Sequence, residues 1–223
     1  MCVSAELSFA SFAVGSVFNA AAFCVIRKSH TTADALAVLY WQFALLMQLP
    51  EGAAWTHIDA GRTTSAAGRA AMVLNVLQPI VACAVVLAHR SRRHSVAATT
   101  GVAMYAILLC TDAADLWAGS DRLEPRHGCV NLDLGWWDLS RTALYVASTL
   151  VCMCGFGAMR LVHLAIFVAT LLVSIAVYPC GGGSLWCWLI AFAGLALLGA
   201  QCSAQHGLLP YSETTQCQCC RYR

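Results

Sequence analysis

The chain has 223 residues, 60% of them hydrophobic and only 11% charged, with a formal net charge of +2. A soluble domain carries about 25% charged residues, so this composition excludes a water-facing globular domain, and the small net charge gives no footing for nucleic-acid binding. Long apolar stretches between short polar connectors predict an all-α, polytopic membrane protein, a seven-transmembrane-helix bundle. Transmembrane strands would instead appear as segments of about ten alternating residues, and the sequence has none.

The predicted spans, in chain order, are 5–26, 33–55, 70–88, 95–116, 136–157, 161–178 and 184–203, within a transmembrane domain of 1–206 followed by a Cys-rich tail of 207–223. The first carries Ser11, Gly15 and Asn19 at spacing four, a close-packing face. Arg27 and Lys28 follow it directly and no basic region precedes its apolar run, the pattern of a retained helix rather than a cleaved signal. The second contains Gln48, Glu51 and Trp55, which spacings of three and four place on one helix face. A carboxylate at the centre of a spanning helix costs roughly 2.5–3.5 kcal/mol, so its presence asks for a reason. Pro50 beside it, and Pro79 in the third span, predict discontinuous helices with freed carbonyls, or simple kinks.

The third span also holds Asn75 and Gln78, one to two turns inside its outer end. At the outer end of the fourth, Asp112 and Asp115 are three apart and share a face, either lining a site or sitting at the water interface. His163, near the inner start of the sixth, reads as interfacial. The seventh opens with Trp186 after the run from Gly181 to Ser184. Asn19, Gln42 and Gln201 read as interhelical hydrogen-bonding groups. Glu51, Asn75, Gln78, Asp112 and Trp186 thus share the outer leaflet level, with Gln48 and Trp55 beside them, and are expected to line one cavity.

Orientation follows from the basic residues. Arg27, Lys28, Arg90, Arg92, Arg93, Arg160, Arg221 and Arg223 fall on one side, which is expected to be cytoplasmic, with the N-terminus out and the C-terminus in. Arg90, Arg92 and Arg93 read as a topology anchor rather than a nucleic-acid site. Trp55, Trp117, Trp136, Trp137, Trp186 and Trp188 fall at outer span ends, as an interfacial belt or as the lining of an outer pocket. Of the 13 cysteines, Cys129 and Cys180 are disulfide candidates on the outer side, with Cys187 as the competing partner. In the tail, Cys217, Cys219 and Cys220 are candidates for S-acylation, against an unmodified terminus.

Several of these motifs, taken in order, carry a likeness. Gln48-x-x-Glu51-x-x-x-Trp55, Asn75 before Gln78-Pro79, Gly135-Trp136-Trp137 before the fifth helix, and Gly183-Ser184-x-Trp186-Cys187 before the seventh resemble an uncharacterised family of seven-helix membrane proteins. That family, a domain of unknown function, occurs in microbes and large DNA viruses. The resemblance covers most of the chain and implies seven spans and a polar outer-half site, but no activity. Where such relatives have a histidine before the aromatic start of helix five, this chain has Asp133-Leu-Gly-Trp136, so no histidine role carries over.

The function these residues favour is binding of a small molecule, lipid or ion from the exoplasmic side, in a receptor- or transporter-like protein with Glu51 as charge partner. No cofactor is implied, membrane lipids are the expected partners, and nothing sets an oligomeric state. A retinal Schiff base needs a lysine inside the bundle, and Lys28, in a connector, is the only lysine. An intramembrane metal-dependent lipid hydrolase needs about three protein ligands. Only His57 and His127 reach the outer side, where Asp112 and Asp115 would have to assist. A structural or assembly protein without a ligand is the third reading.

Overall fold

The structure, a computed structural model, describes residues 4–29, 32–88, 92–120, 123–125, 132–134, 139–156, 159–177 and 189–205. It is helical apart from one short ribbon. The helices are α1 (Ala5–Ser29), α2 (Thr32–Leu45), α3 (Gln48–Asp59), α4 (Ser65–Ala88), α5 (Arg92–Thr111), α6 (Ala113–Ser120), α7 (Leu139–Met153), α8 (Arg160–Val177) and α9 (Ala193–Gln205). Strands β1 (Leu123–Pro125) and β2 (Leu132–Leu134) pair antiparallel, Leu123 opposite Leu134. They lie in a connector where the sequence shows no strand pattern.

Local chemistry sets the helix ends. Ser4 Oγ accepts the Leu7 N–H at 3.2 Å and so caps α1. The last turn of α1 carries Arg27 and Lys28, which complement the negative end of the helix dipole. Between α2 and α3 the ladder tightens: the N–H groups of Leu46, Met47 and Leu49 bond carbonyls three residues back. Pro50 follows, and its ring has no N–H and clashes with the preceding turn of a continuing helix. The interruption expected beside Pro50 is therefore present, whereas α4 runs unbroken through Pro79. Helix α3 closes on Gly61, whose φ of 64° fits a residue without Cβ, with Arg62 N–H bonding His57 O.

At Asp112 the chain turns by 70° from α5 into α6. Asp112 therefore stands at the bend and Asp115 in the first turn of α6, with Leu116 N–H bonding the Asp112 carbonyl at 2.9 Å.

Helix α1 packs against α2, α3 and α9, and α4 sits centrally against α2, α3, α5 and α7. The larger apolar cluster includes Ile26, Tyr40, Trp41, Tyr105, Phe156 and Phe167. A smaller one joins Ala5, Met47, Trp55, Ala71, Met72 and Leu116 where α1, α3, α4 and α6 meet. The expected small-residue face of α1 is used. A Cβ on Gly15 would lie 2.9 Å from Ala191 Cα, and one on Gly194 would lie 2.5 Å from the Asn19 backbone nitrogen.

Among the described residues, two helices, Ala5–Lys28 and Ser65–Ala88, are long and apolar enough to cross a membrane, or three spans if the bent α5–α6 pair counts as one. Large apolar side chains point outward elsewhere too, including Val17 at 67% exposure, Ile107 at 65% and Leu161 at 71%.

Candidate functional site

Helix α3 restarts the chain after the Leu46–Met47 break, and its first turns carry the predicted face. Gln48, Glu51 and Trp55 are all buried, Glu51 completely. Trp55 belongs to the cluster with Ala67, Ala71 and Met72 of α4. Glu51 stands one turn earlier on the same face, between the neighbouring helices α1 and α4. Helices α3 and α4 are joined by a five-residue connector, so they run antiparallel. At 1.5 Å per residue, Glu51 lies ~12 Å below the end of α3 and Asn75 ~15 Å below the start of α4, on nearly one level.

On α4, Asn75 and Gln78 are buried and bonded to each other, with Gln78 Nε2 donating to Asn75 Oδ1 at 3.4 Å. Pro79 has no N–H to offer the Asn75 carbonyl, which adds backbone acceptor capacity at the same place. Tyr145 of α7 donates its hydroxyl proton to Gln78 Oε1. Gln48 and Glu51 on α3, and Asn75 and Gln78 on α4, are thus buried at similar depth, and the α4 pair is joined to α7 through Tyr145.

Asp112, another candidate, is bonded elsewhere. Asp112 accepts from Arg141 Nε at 3.2 Å and from Arg141 Nη2 at 3.1 Å, fastening the α5–α6 bend to α7. Its side chain is 32% exposed, which fits the interfacial alternative. Trp186, Cys129, Cys180, Cys217, Cys219 and Cys220 lie outside the described residues, as do Trp136, Trp137 and Trp188. Of the outer tryptophans, Trp55 is buried, while Trp117 is half-exposed and its ring lies 4.7 Å beneath the Arg69 guanidinium carbon. That cation–π contact holds α6 against α4.

Asn19 Nδ2 donates to Gln42 Oε1 at 3.2 Å and Gln42 Nε2 to Ser16 Oγ at 3.0 Å. The interhelical role expected of Asn19 and Gln42 is met between α1 and α2. Gln201 is buried as well.

His163 corrects its expected place. It is fully buried rather than interfacial, stacked on Trp41 and edge-on to Phe156. Trp41 Nε1–H donates to His163 Nδ1 at 2.8 Å. An indole nitrogen only donates, so Nδ1 is the acceptor and the imidazole proton resides on Nε2. Nearby, Asp34 is buried at the start of α2, where Oδ1 accepts the Met159 N–H at 3.1 Å.

Residues that sequence reasoning passed over are Tyr40, Tyr105, Tyr145, Thr149, Asp34 and Arg141. The available signal was weak: tyrosine and threonine are ordinary inside apolar helices, and only their convergence gives them meaning. Among the described residues, no three His, Cys, Asp or Glu side chains converge to hold a metal ion. Set against known proteins, the chain matches no family model, no curated protein and no solved structure.

Proposed function

We propose that this protein is a multi-pass membrane protein that binds a positively charged ligand, an ion or the cationic group of a small molecule or lipid, at Glu51. Seven spans are formed by α1, α2 with α3, α4, α5 with α6, α7, α8 and α9, with the N-terminus outside and the C-terminus in the cytoplasm. The apolar outward-facing residues on α1, α4, α5 and α8 support this arrangement, as does the placement of basic residues in the connectors. The family likeness of the Gln48, Glu51 and Trp55 motif points the same way.

One observation carries the binding reading: a completely buried carboxylate with a buried amide one turn before it, immediately after a break in the second apolar segment. A buried acid is retained at a cost that a ligand's charge offsets. Broken helices bring backbone carbonyls to such a site.

The test is thermal unfolding of the protein in lipid nanodiscs across sodium, potassium, calcium and choline chlorides. Binding stabilises the folded state by mass action, by about 2.7 kcal/mol at one hundred times Kd. One of these cations is expected to raise the wild-type Tm and to leave Glu51→Gln unmoved. Equal responses in both proteins would overturn the reading.

A further inference from the structure

Among the described residues six cysteines carry free thiols, and of these only Cys83 and Cys152 are buried. The two buried thiols come from different helices and meet. Cys152 Sγ of α7 lies 3.8 Å from the Pro79 carbonyl oxygen. Cys83 is one helical turn beyond Pro79 on α4, so α7 sets its thiol against the turn that carries the second one. The two sulfurs accordingly stand side by side. The backbones that carry them are held on both sides. About one turn beyond the pair, a Cβ on Gly155 would lie 2.7 Å from Val86 Cγ1, which presses the end of α7 onto α4. One turn before it, Ser148 Oγ donates to the Gly101 carbonyl at 3.2 Å and ties α7 to α5.

Each sulfur has a hydroxyl beside it. Thr99 of α5 faces Cys83, and Tyr40 reaches Cys152 from α2. Tyr40 Oη is buried and stands beside the hydroxyls of Tyr145 and Thr149, without bonding geometry to either. A buried donor left bare costs about 1–3 kcal/mol, and native interiors hold few of them. A neutral thiol is a weak acceptor for that O–H, whereas an ionised sulfur is a strong one.

We infer that Cys83 and Cys152 form a two-thiolate site for a soft monovalent metal ion, copper(I). Thiolate ligands select copper(I), zinc or iron–sulfur clusters. A structural zinc site takes four ligands and an iron–sulfur cluster four cysteines. Among the described residues no third His, Cys, Asp or Glu side chain joins the pair. Copper(I) is stable between two sulfurs in line, and it takes the place of the thiol protons there. Binding breaks two S–H bonds and forms two Cu–S bonds, two protons leave, and nothing is oxidised or reduced. The bound unit carries one net negative charge, to which the Tyr40 and Thr99 hydroxyls donate. Cys83 keeps 6% exposure and Thr99 is exposed, so the ion enters and the protons leave beside Thr99. The site is separate from Glu51 and does not rest on the binding reading.

The experiment uses the full chain in nanodiscs with copper(I), kept reduced by ascorbate and held by a chromophoric copper(I) chelator strong enough to strip single thiols. Wild-type protein is expected to retain one more copper(I) per chain than Cys83→Ala, Cys152→Ala or the double variant, with all three alike. Equal loss in singles and double is the mark of one shared site. Cys154→Ala, at an exposed thiol two residues from Cys152, and Glu51→Gln are expected to bind as wild type does. Tyr40→Phe is expected to keep the site but weaken it about 10–100-fold, as loss of an outer-shell partner does. Equal copper content in wild type and the double variant, or a loss in one single variant alone, overturns the site. If an alanine variant fails to fold, copper X-ray absorption of the wild type decides: two sulfur neighbours support the site, and nitrogen or oxygen neighbours overturn it. Copper retained by a protein whose Tm ignores sodium, potassium, calcium and choline removes the Glu51 reading alone.

Discussion

The indole N–H of Trp41 and Nδ1 of His163 meet at 2.8 Å, 122 positions apart in sequence, and join α2 to α8 inside the apolar core. Both side chains are completely buried, so removing either leaves the other polar atom without its partner. Trp41→Phe and His163→Leu are each expected to lower stability by about 1–3 kcal/mol. The double variant should lose less than the sum, with a coupling of about 0.6 kcal/mol and at most about 1.7 kcal/mol, the average and the maximum for hydrogen bonds between membrane helices. Chemical or thermal unfolding in nanodiscs reads this cycle, and strict additivity would mean that the bond contributes nothing.

The α1–α9 seam makes a sharper steric prediction. A Cβ on Gly194 meets backbone atoms of Phe18 and Asn19 at 2.5 Å, and backbone cannot rotate away as a side chain does. Gly194→Ala should cost about 1–3 kcal/mol through overpacking. Gly199, on the same helix, has nothing within 4 Å of its added Cβ. Gly199→Ala should be neutral or slightly stabilising, because alanine is the better helix former by about 1 kcal/mol. Comparison of the two Tm values separates close packing from a general glycine effect.

The Arg141–Asp112 pair predicts a small number. Asp112 is about one-third exposed, and solvent-screened ion pairs contribute about 0.2–1 kcal/mol. Asp112→Asn should therefore lower stability by no more than that, with the difference shrinking as salt rises. A loss that is large and independent of salt would show the pair to be shielded from solvent.

The proposed orientation is tested with epitope tags. An N-terminal tag should be accessible to antibody on intact cells expressing the protein. A C-terminal tag should become accessible only after permeabilisation. The reverse pattern would invert the topology and place Glu51 on the cytoplasmic side.

Much of this architecture is legible in the order of residues. The apolar runs locate α1 and α4 to within a few residues, because a helix satisfies its own backbone and needs only length and apolar composition. Pro50 marks the α2–α3 break, since the missing N–H and the ring clash are local effects. The Gln48, Glu51 and Trp55 face follows from periodicity alone. The α5–α6 bend at Asp112 is not legible, because an apolar run reads the same whether its helix is straight or bent, and the Arg141 that pairs there belongs to another helix. His163 was misplaced for a similar reason: depth counted from a helix end says nothing about a tryptophan packed over the ring. The Tyr40, Tyr145 and Thr149 convergence requires α2, α4 and α7 to be neighbours, and pairing between distant helices leaves no mark on periodicity.

The glycine seam also decides which part of the bundle can rearrange. Where main chain abuts main chain, as between α1 and α9, there is no slack for one rod to slide along the other. Helix α8, which packs on α9 and α7, differs: it turns Leu161, Leu172 and Ile175 outward and is anchored inward by His163 and Phe167. On the proposed function, any rearrangement that follows ligand binding would have to leave the α1–α9 contact intact.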